Sequence, residues 1–336
     1  MIPNSPIRRF FSFSRLTRLL SGLSLIILLW LLYVADLWSL MESFSLDLLP
    51  GLAGVSLLLV IGWFAPAAAW ALLVFRLASP SALSTTRHLH IYGTTQIQRY
   101  LPGNVFHFLI RHLRTHREGE KNEPLFWAAL GEIIGQLIAA SLLVGILLGW
   151  YLAAPNGLLV AATVALFIGL SLFGLRFLPR LLPALIGVLI RALGSRASRW
   201  YEGIDLGRIG LHQKDLWAVI PLYVLNISIL GLAAFLLGAL ISPISLTLFP
   251  LVLATAAAAW MAGFLLPGAP GGLGPREAVF TAGLSPVLGL ETTLFIAFAL
   301  RLCSILADLL YYLFSLFLAG LDSSKNSPDS LPSDQP

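Results

Sequence analysis

Two short stretches of this chain combine charged, amide and imidazole side chains with helix-breaking residues, in sequence that is otherwise almost wholly apolar. The first, residues 87–112, reads RHLHIYGTTQIQRYLPGNVFHFLIRH. Taken as a helix up to Pro102, it sets His88, Tyr92, Gln96 and Arg99 at offsets 0, 4, 8 and 11, on one face. Leu101-Pro102-Gly103 interrupts that helix, because Pro lacks a backbone donor and Gly frees φ. Asn104 can cap a second helix, on which Asn104, His107 and Arg111 share a face. The expected form is a helical hairpin. It either lies amphipathically on a membrane surface or folds inward with Gln96, Arg99, Tyr100, Asn104, His107 and Arg111 lining a cavity. Tyr, Gln, Asn and His beside arginine, where a surface helix would show lysine, favour the cavity. Guanidinium groups there would grip carboxylate or phosphate oxygens in pairs.

The second stretch, residues 266–280, reads LPGAPGGLGPREAVF. Its glycines and prolines exclude regular helix until Gly274-Pro275, where Pro suits the first helical position. Arg276 and Glu277 then stand in the first turn. Amide N–H groups at a helix start, with an arginine beside them, could receive an anion such as a lipid phosphate; an ordinary turn with a capping Glu is the plainer alternative. The Gly-rich loop at Gly272 and Gly274 belongs to the same set. Leu101-Pro102-Gly103 recurs as Leu266-Pro267-Gly268, and an arginine follows at the same distance in each (Arg111, Arg276). Paired broken segments are a sign of repeated transporter architecture.

Charges within apolar spans complete the set. Glu132 lies on one span with Gln136 one turn on, while Arg301 and Asp308 lie seven apart on the last and face the same way. Each costs at least ~2.5 kcal/mol to insert, so such groups turn inward, as structural ion pairs or as a ligand grip or proton relay. Glu132 is expected beside an arginine of a broken segment, Arg99 or Arg276 first, since a buried carboxylate needs a cationic partner.

The elements that must position these residues are transmembrane helices. The chain has 336 residues, 58% hydrophobic and 11% charged, with mean hydropathy +0.87; soluble domains carry about 25% charged residues. Spans are expected at Leu19–Leu40, Gly51–Phe75, Leu125–Tyr151, Gly157–Leu175, Leu216–Ile241, Leu246–Leu266 and Leu290–Leu318, with Leu181–Leu193 a short buried or interfacial helix. The fold class is therefore all-α, a polytopic bundle of about seven to eight spans plus two broken Pro/Gly segments. Residues 1–18 form a basic N-terminus, 19–320 the transmembrane domain, and 321–336 a disordered tail rich in Ser, Pro and Asp. The first apolar run is too long for a cleaved signal and reads as a retained anchor. Arginines before it, and basic runs at Arg76–Lys121 and Arg176–Lys214, place the N-terminus and large loops in the cytoplasm. The same clustering explains the net charge of +5 without nucleic acid. Cys303, the one cysteine, lies in an apolar span.

The segment QIQRYLPGNVFHFLIR, Glu132 about twenty residues on, and LPGAPGGLGPRE together resemble the flippase-like transmembrane domain of the lysylphosphatidylglycerol synthases, over roughly residues 15–320. The resemblance implies a multi-pass protein of the bacterial inner membrane that acts on lipid translocation. It places Arg99, Pro102, Gly103, Glu132, Gly271, Gly272, Gly274, Arg276 and Glu277 on the family pattern. Lysine transfer in those synthases resides in a separate soluble domain and is not carried over. The expected function is a lipid flippase or transporter acting on a phosphate-bearing lipid (phospholipid, glycolipid or polyprenyl-linked), with Arg99, Arg111, Arg276 and Arg301 on the headgroup. The alternatives are a membrane-embedded lipid-modifying enzyme, for which no catalytic constellation stands out, or a non-transporting accessory of envelope synthesis. Membrane lipids, and enzymes of envelope biosynthesis, are the expected partners. No cofactor is expected, and the histidines at 88, 90, 107 and 112 match no metal spacing.

Overall fold

The computed structural model describes residues 46–78, 80–100, 106–152, 157–193, 210–266, 272 and 274–325. The expected Leu19–Leu40 span and the Leu101–Val105 and Pro267–Gly271 junctions lie outside them. Helix α1 (Leu49–Leu77) follows a 3-10 turn. Next come α2 (Thr85–Gln96), continued by a 3-10 turn at Ile97–Tyr100, and α3 (Phe106–Arg117). Four longer helices follow: α4 (Asn122–Leu152), α5 (Gly157–Leu193), α6 (Gln213–Ile241) and α7 (Phe249–Leu265). Helices α8 (Pro275–Leu288) and α9 (Leu290–Lys325) close the order. There is no strand among the described residues, and the protein is an all-α polytopic helical bundle.

Six of these helices (α1, α4, α5, α6, α7 and α9) are long and apolar enough to cross a membrane. One expectation is corrected here. Gly157–Leu175 and Leu181–Leu193 are not separate elements; α5 runs unbroken through Pro179 and Pro183. Isolated prolines inside a long apolar helix bend it without ending it when neighbouring groups take up the freed carbonyls. Helix α9 likewise continues to Lys325, past the boundary expected at 320.

The sidedness of α9 shows what the solvent of this fold is. Arg301, Ser304, Asp308, Tyr311 and Ser315 are buried, whereas Leu302, Ile305, Leu309, Leu313 and Phe317 are exposed. Polar residues inward and leucines outward reverse the pattern of a water-soluble helix and match a lipid surround. Helix α5 packs mainly on α4 and exposes Leu166, Leu170, Leu172 and Phe173.

The core forms where α1, α4, α6, α7 and α9 pack together. One apolar cluster gathers Trp70, Trp127, Ile134, Tyr223 and Tyr311, and another Phe235, Leu251, Phe280, Ile296 and Leu300. Small residues bring the helices close, as is usual where lipid replaces water. At Gly231 of α6, a methyl group would lie 2.4 Å from Leu253 Cδ1 and 2.9 Å from its backbone Cα on α7. Gly231→Ala is accordingly expected to lower stability by about 1–3 kcal/mol, as overpacking does. Thermal unfolding of the detergent-solubilised variant would show it; an unchanged midpoint would mean the two helices separate without loss.

The hairpin does not lie on a surface. From His88 to Gln96, all residues of α2 except Leu89 are buried, although the helix is polar. Most of its polar groups meet a partner, His88 Nδ1 being an exception among the described residues. Ser84 caps the helix by accepting from Arg87 N. Thr94 and Thr95 hydroxyls donate back to the carbonyls of His90 and Ile91. His90 lies 2.6 Å from Ser315 O through Nδ1 and 3.1 Å from Arg114 Nη2 through Nε2. Those contacts fix the tautomer that donates from Nδ1 and accepts at Nε2. Arg87 grips Glu118 at 2.5 and 2.8 Å, which ties the start of α2 to the end of α3.

Candidate functional site

The hairpin, α4 and the second broken segment meet at a cavity. Gln96 and Arg99 reach it from the end of α2 and its 3-10 turn, His107 from α3, and Glu132 and Gln136 from α4. Gly272 and Arg276 close it from the second broken segment. Its remaining wall is Trp63 and Pro66 of α1, Asn226 of α6, and Trp260, Gly263 and Phe264 of α7, with Tyr92 at the base of the hairpin. Both motifs singled out in the sequence thus border one space.

Glu132 is saturated, and by a different arginine than expected. Arg111 Nη1 donates to Glu132 Oε2 at 2.5 Å, and Tyr92 Oη and Gln136 Nε2 donate to Oε1 at 3.1 and 3.2 Å. Arg111 also reaches Gln96 Oε1 at 3.0 Å and lies over the Tyr92 ring at 3.7 Å. Its side chain is 0% exposed and does not line the cavity. Of the partners expected first, Arg99 is engaged with Asp308 and Arg276 has no ion pair among the described residues. The reason is reach: Arg111 lies on the buried face of α3, and α3 packs on α4.

Arg99 pairs loosely with Asp308, 3.5 Å from Nε to Oδ2, and lies over the Trp63 ring at 4.7 Å. Tyr100 Oη donates to the same Oδ2 at 2.5 Å. Arg301 and Asp308 do face one way, as their spacing requires. Both are buried behind the cavity, and Arg301 lies 5.7 Å from the Tyr100 ring.

Arg276 is the outlier. It is buried, lines the cavity, and has no ion pair or side-chain hydrogen bond among the described residues. The like charge of Arg301 and the carboxylate of Glu277 are among the charges nearest to it. Glu277 caps its own helix: its Oε2 accepts from Gly274 N at 2.7 Å. The start of α8 therefore already holds its own anion, and the free amide groups expected there are not all free. Gly272 and Gly274 have φ of +76° and +90°, a region that favours glycine. A Cβ on Gly272 would also stand 3.0 Å from Gly263 Cα, so glycine lets the broken segment press on α7. Asn104 lies outside the described residues.

The sequence repeat is not repeated in role. Arg111 is sealed in an ion pair, whereas Arg276 faces the cavity. His88, although in register with Tyr92 and Gln96, points away, to Ser81 Oγ at 3.2 Å. Ser81 and Glu120 also bond each other, but Glu120 approaches the same ring nitrogen as Ser81, 3.8 Å from His88 Nε2. That arrangement does not orient a base for a serine nucleophile, which needs the carboxylate on the opposite nitrogen. The other histidines part company too: His112 meets Asn122, and His107 stacks on Phe108.

Sequence reasoning missed the cavity's other wall. Pro66 has no N–H to offer the carbonyl one turn before it, and Asn226 Nδ2 donates to that carbonyl, Gly62 O, at 3.0 Å. A proline in one apolar span and a lone amide in another were the available signals. Asn226→Leu is expected to lower stability by about 1–3 kcal/mol through the unsatisfied carbonyl, and a melting curve unchanged from wild type would refute the link. Trp63 and Trp260 gave no signal, being ordinary residues of apolar spans.

The fold and its buried polar network define a multi-pass α-helical membrane protein with an arginine-bearing cavity among its helices. No family model, curated protein or solved structure matches the chain.

Proposed function

We propose that the cavity binds the phosphate of a membrane lipid and that the protein moves such lipids across the bilayer, in the manner of the flippase-like domains its two motifs resemble. One observation carries this reading: Arg276, a buried guanidinium that lines the cavity with no carboxylate on it among the described residues. An uncompensated cation in such a place is costly unless an anion joins it. A guanidinium takes two phosphate oxygens at once. Arg99 supplies a second cation, and Trp63, Pro66, Trp260 and Phe264 offer apolar wall for the glycerol and acyl portions. Arg111 and Glu132 serve as scaffold. The basic N-terminus and loops support a bacterial inner-membrane location with the N-terminus cytoplasmic, where enzymes of envelope biosynthesis would be neighbours.

Two measurements on the purified protein test this. Dihexanoyl phosphatidic acid, titrated into the detergent-solubilised protein, should change the fluorescence of the cavity tryptophans, while dihexanoyl glycerol should not. Inorganic phosphate, in a third arm, separates a lipid site from a free-anion site. In proteoliposomes, a fluorescent phosphatidylglycerol of the inner leaflet should become accessible to external dithionite faster than in protein-free vesicles. Equal responses to the phosphate-bearing and phosphate-free lipids would overturn the binding claim, and an unchanged dithionite rate the transport claim.

A further inference from the structure

The two carboxylates that face the hairpin hold their arginines very differently. Glu132 and Arg111 are 1% and 0% exposed, 2.5 Å apart, and every oxygen of Glu132 has a donor. Asp308 and Arg99 are 3.5 Å apart with no aligned hydrogen bond between them, and Asp308 Oδ1, though buried, has no hydrogen-bond partner among the described residues. Arg99 is the member of that pair that also lines the cavity, over the Trp63 ring. A pair this loose, with one half already at the cavity wall, is suited to exchange rather than to scaffolding.

We propose that Asp308 and the lipid phosphate compete for Arg99, so that this carboxylate sets how tightly the headgroup is held and helps to release it. The inference rests on the reading of the cavity as a phosphate site. A phosphate arriving on Arg276 brings a stronger, bidentate acceptor within reach of the neighbouring guanidinium. Asp308 can give up Arg99 without becoming an uncompensated buried charge. Tyr100 Oη still donates to Oδ2 at 2.5 Å, and the charges of Arg301 and Arg276 also reach Asp308. When the phosphate leaves, the carboxylate reclaims Arg99. Without such a competitor, two unopposed guanidinium groups would hold a phosphate too firmly for turnover, since binding that is only tight does not help a carrier release its load.

Asp308→Asn keeps the shape and the acceptor for Tyr100 but removes the competing charge. In the fluorescence titration of the full chain, it should bind dihexanoyl phosphatidic acid about fivefold or more tightly than wild type, a usual size for coupling between sites. Inorganic phosphate should gain by a similar factor if the free anion enters the site. No response to it would assign the exchange to lipid headgroups alone. The gain should vanish when Arg99→Ala is present in both proteins compared, which a merely structural Asp308 would not require. Tyr100→Phe gives an independent arm if the Asn variant folds poorly: with its other donor gone, Asp308 should grip Arg99 harder and weaken lipid binding. Asn-variant affinity equal to or below wild type in a folded sample, a gain that survives Arg99→Ala, or unweakened binding by Tyr100→Phe would overturn the proposal. Absence of any phosphatidic acid binding by wild type would instead overturn the phosphate reading itself.

Discussion

Glu132→Ala is expected to destabilise the protein by about 3–5 kcal/mol, the usual result of removing one partner of a sealed ion pair. Arg111 would be left fully buried, with only the Gln96 carbonyl at 3.0 Å and Thr95 Oγ1 at 3.4 Å as side-chain acceptors among the described residues. Tyr92 and Gln136 would lose their acceptor as well. Because α3 is tied to α4 through this pair, the hairpin should loosen before the spanning helices separate. Arg111→Ala should cost a similar amount, since it strands the carboxylate. The double substitution Glu132→Leu with Arg111→Met should recover more than half of either loss, because both charges then leave together and similar volume remains. Unfolding curves of the four proteins in one detergent provide the measurement. Losses that simply add in the double variant would show that the two side chains do not act as a pair.

Arg276→Ala should do the opposite: little or no loss of stability and a large loss of ligand. Removing a buried guanidinium that no described carboxylate compensates relieves an insertion cost of at least ~2.5 kcal/mol, against which only modest packing is lost. A charge-assisted hydrogen bond contributes about 1.5–3 kcal/mol, so phosphatidic acid affinity should fall about 10- to 150-fold. Dithionite access in proteoliposomes should return to the protein-free rate. Arg276→Lys should fall between, because an ammonium cannot span two phosphate oxygens as the planar fork does. A scaffold role for Arg276 predicts the reverse, with the Ala variant unstable and the Lys variant close to wild type. Full binding by both variants would remove the cavity's main anchor from the proposed function.

What could be foreseen followed from local chemistry. The apolar runs now seen as α1, α4, α6, α7 and α9 were legible because lipid demands about 20 apolar residues per crossing whatever the neighbours. The start of α8 at Pro275 and the inward turn of Arg301 and Asp308 were legible for the same reason: proline geometry and the cost of a charge in hydrocarbon act within a few residues.

Partner choice was not legible. Glu132 required a cation, and its sequence carried that requirement, but four arginines lay within broken or spanning segments. Arg111 won because α3 packs on α4 and places it 2.5 Å away, while the 3-10 turn at Ile97–Tyr100 swings Arg99 toward α9. Glu277 turned back on its own helix start, the capping alternative that the sequence had left open beside an anion site. Asn226 and Pro66 were each visible as oddities, and only the packing of α6 on α1 made them a pair. By itself, then, the sequence determined that this is a helical membrane protein whose polar residues must turn inward at two broken segments, since solvation and backbone geometry are local. The tertiary structure alone decided which arginine is sealed and which faces the cavity, because an ion pair forms with whichever charge the helix packing brings within reach.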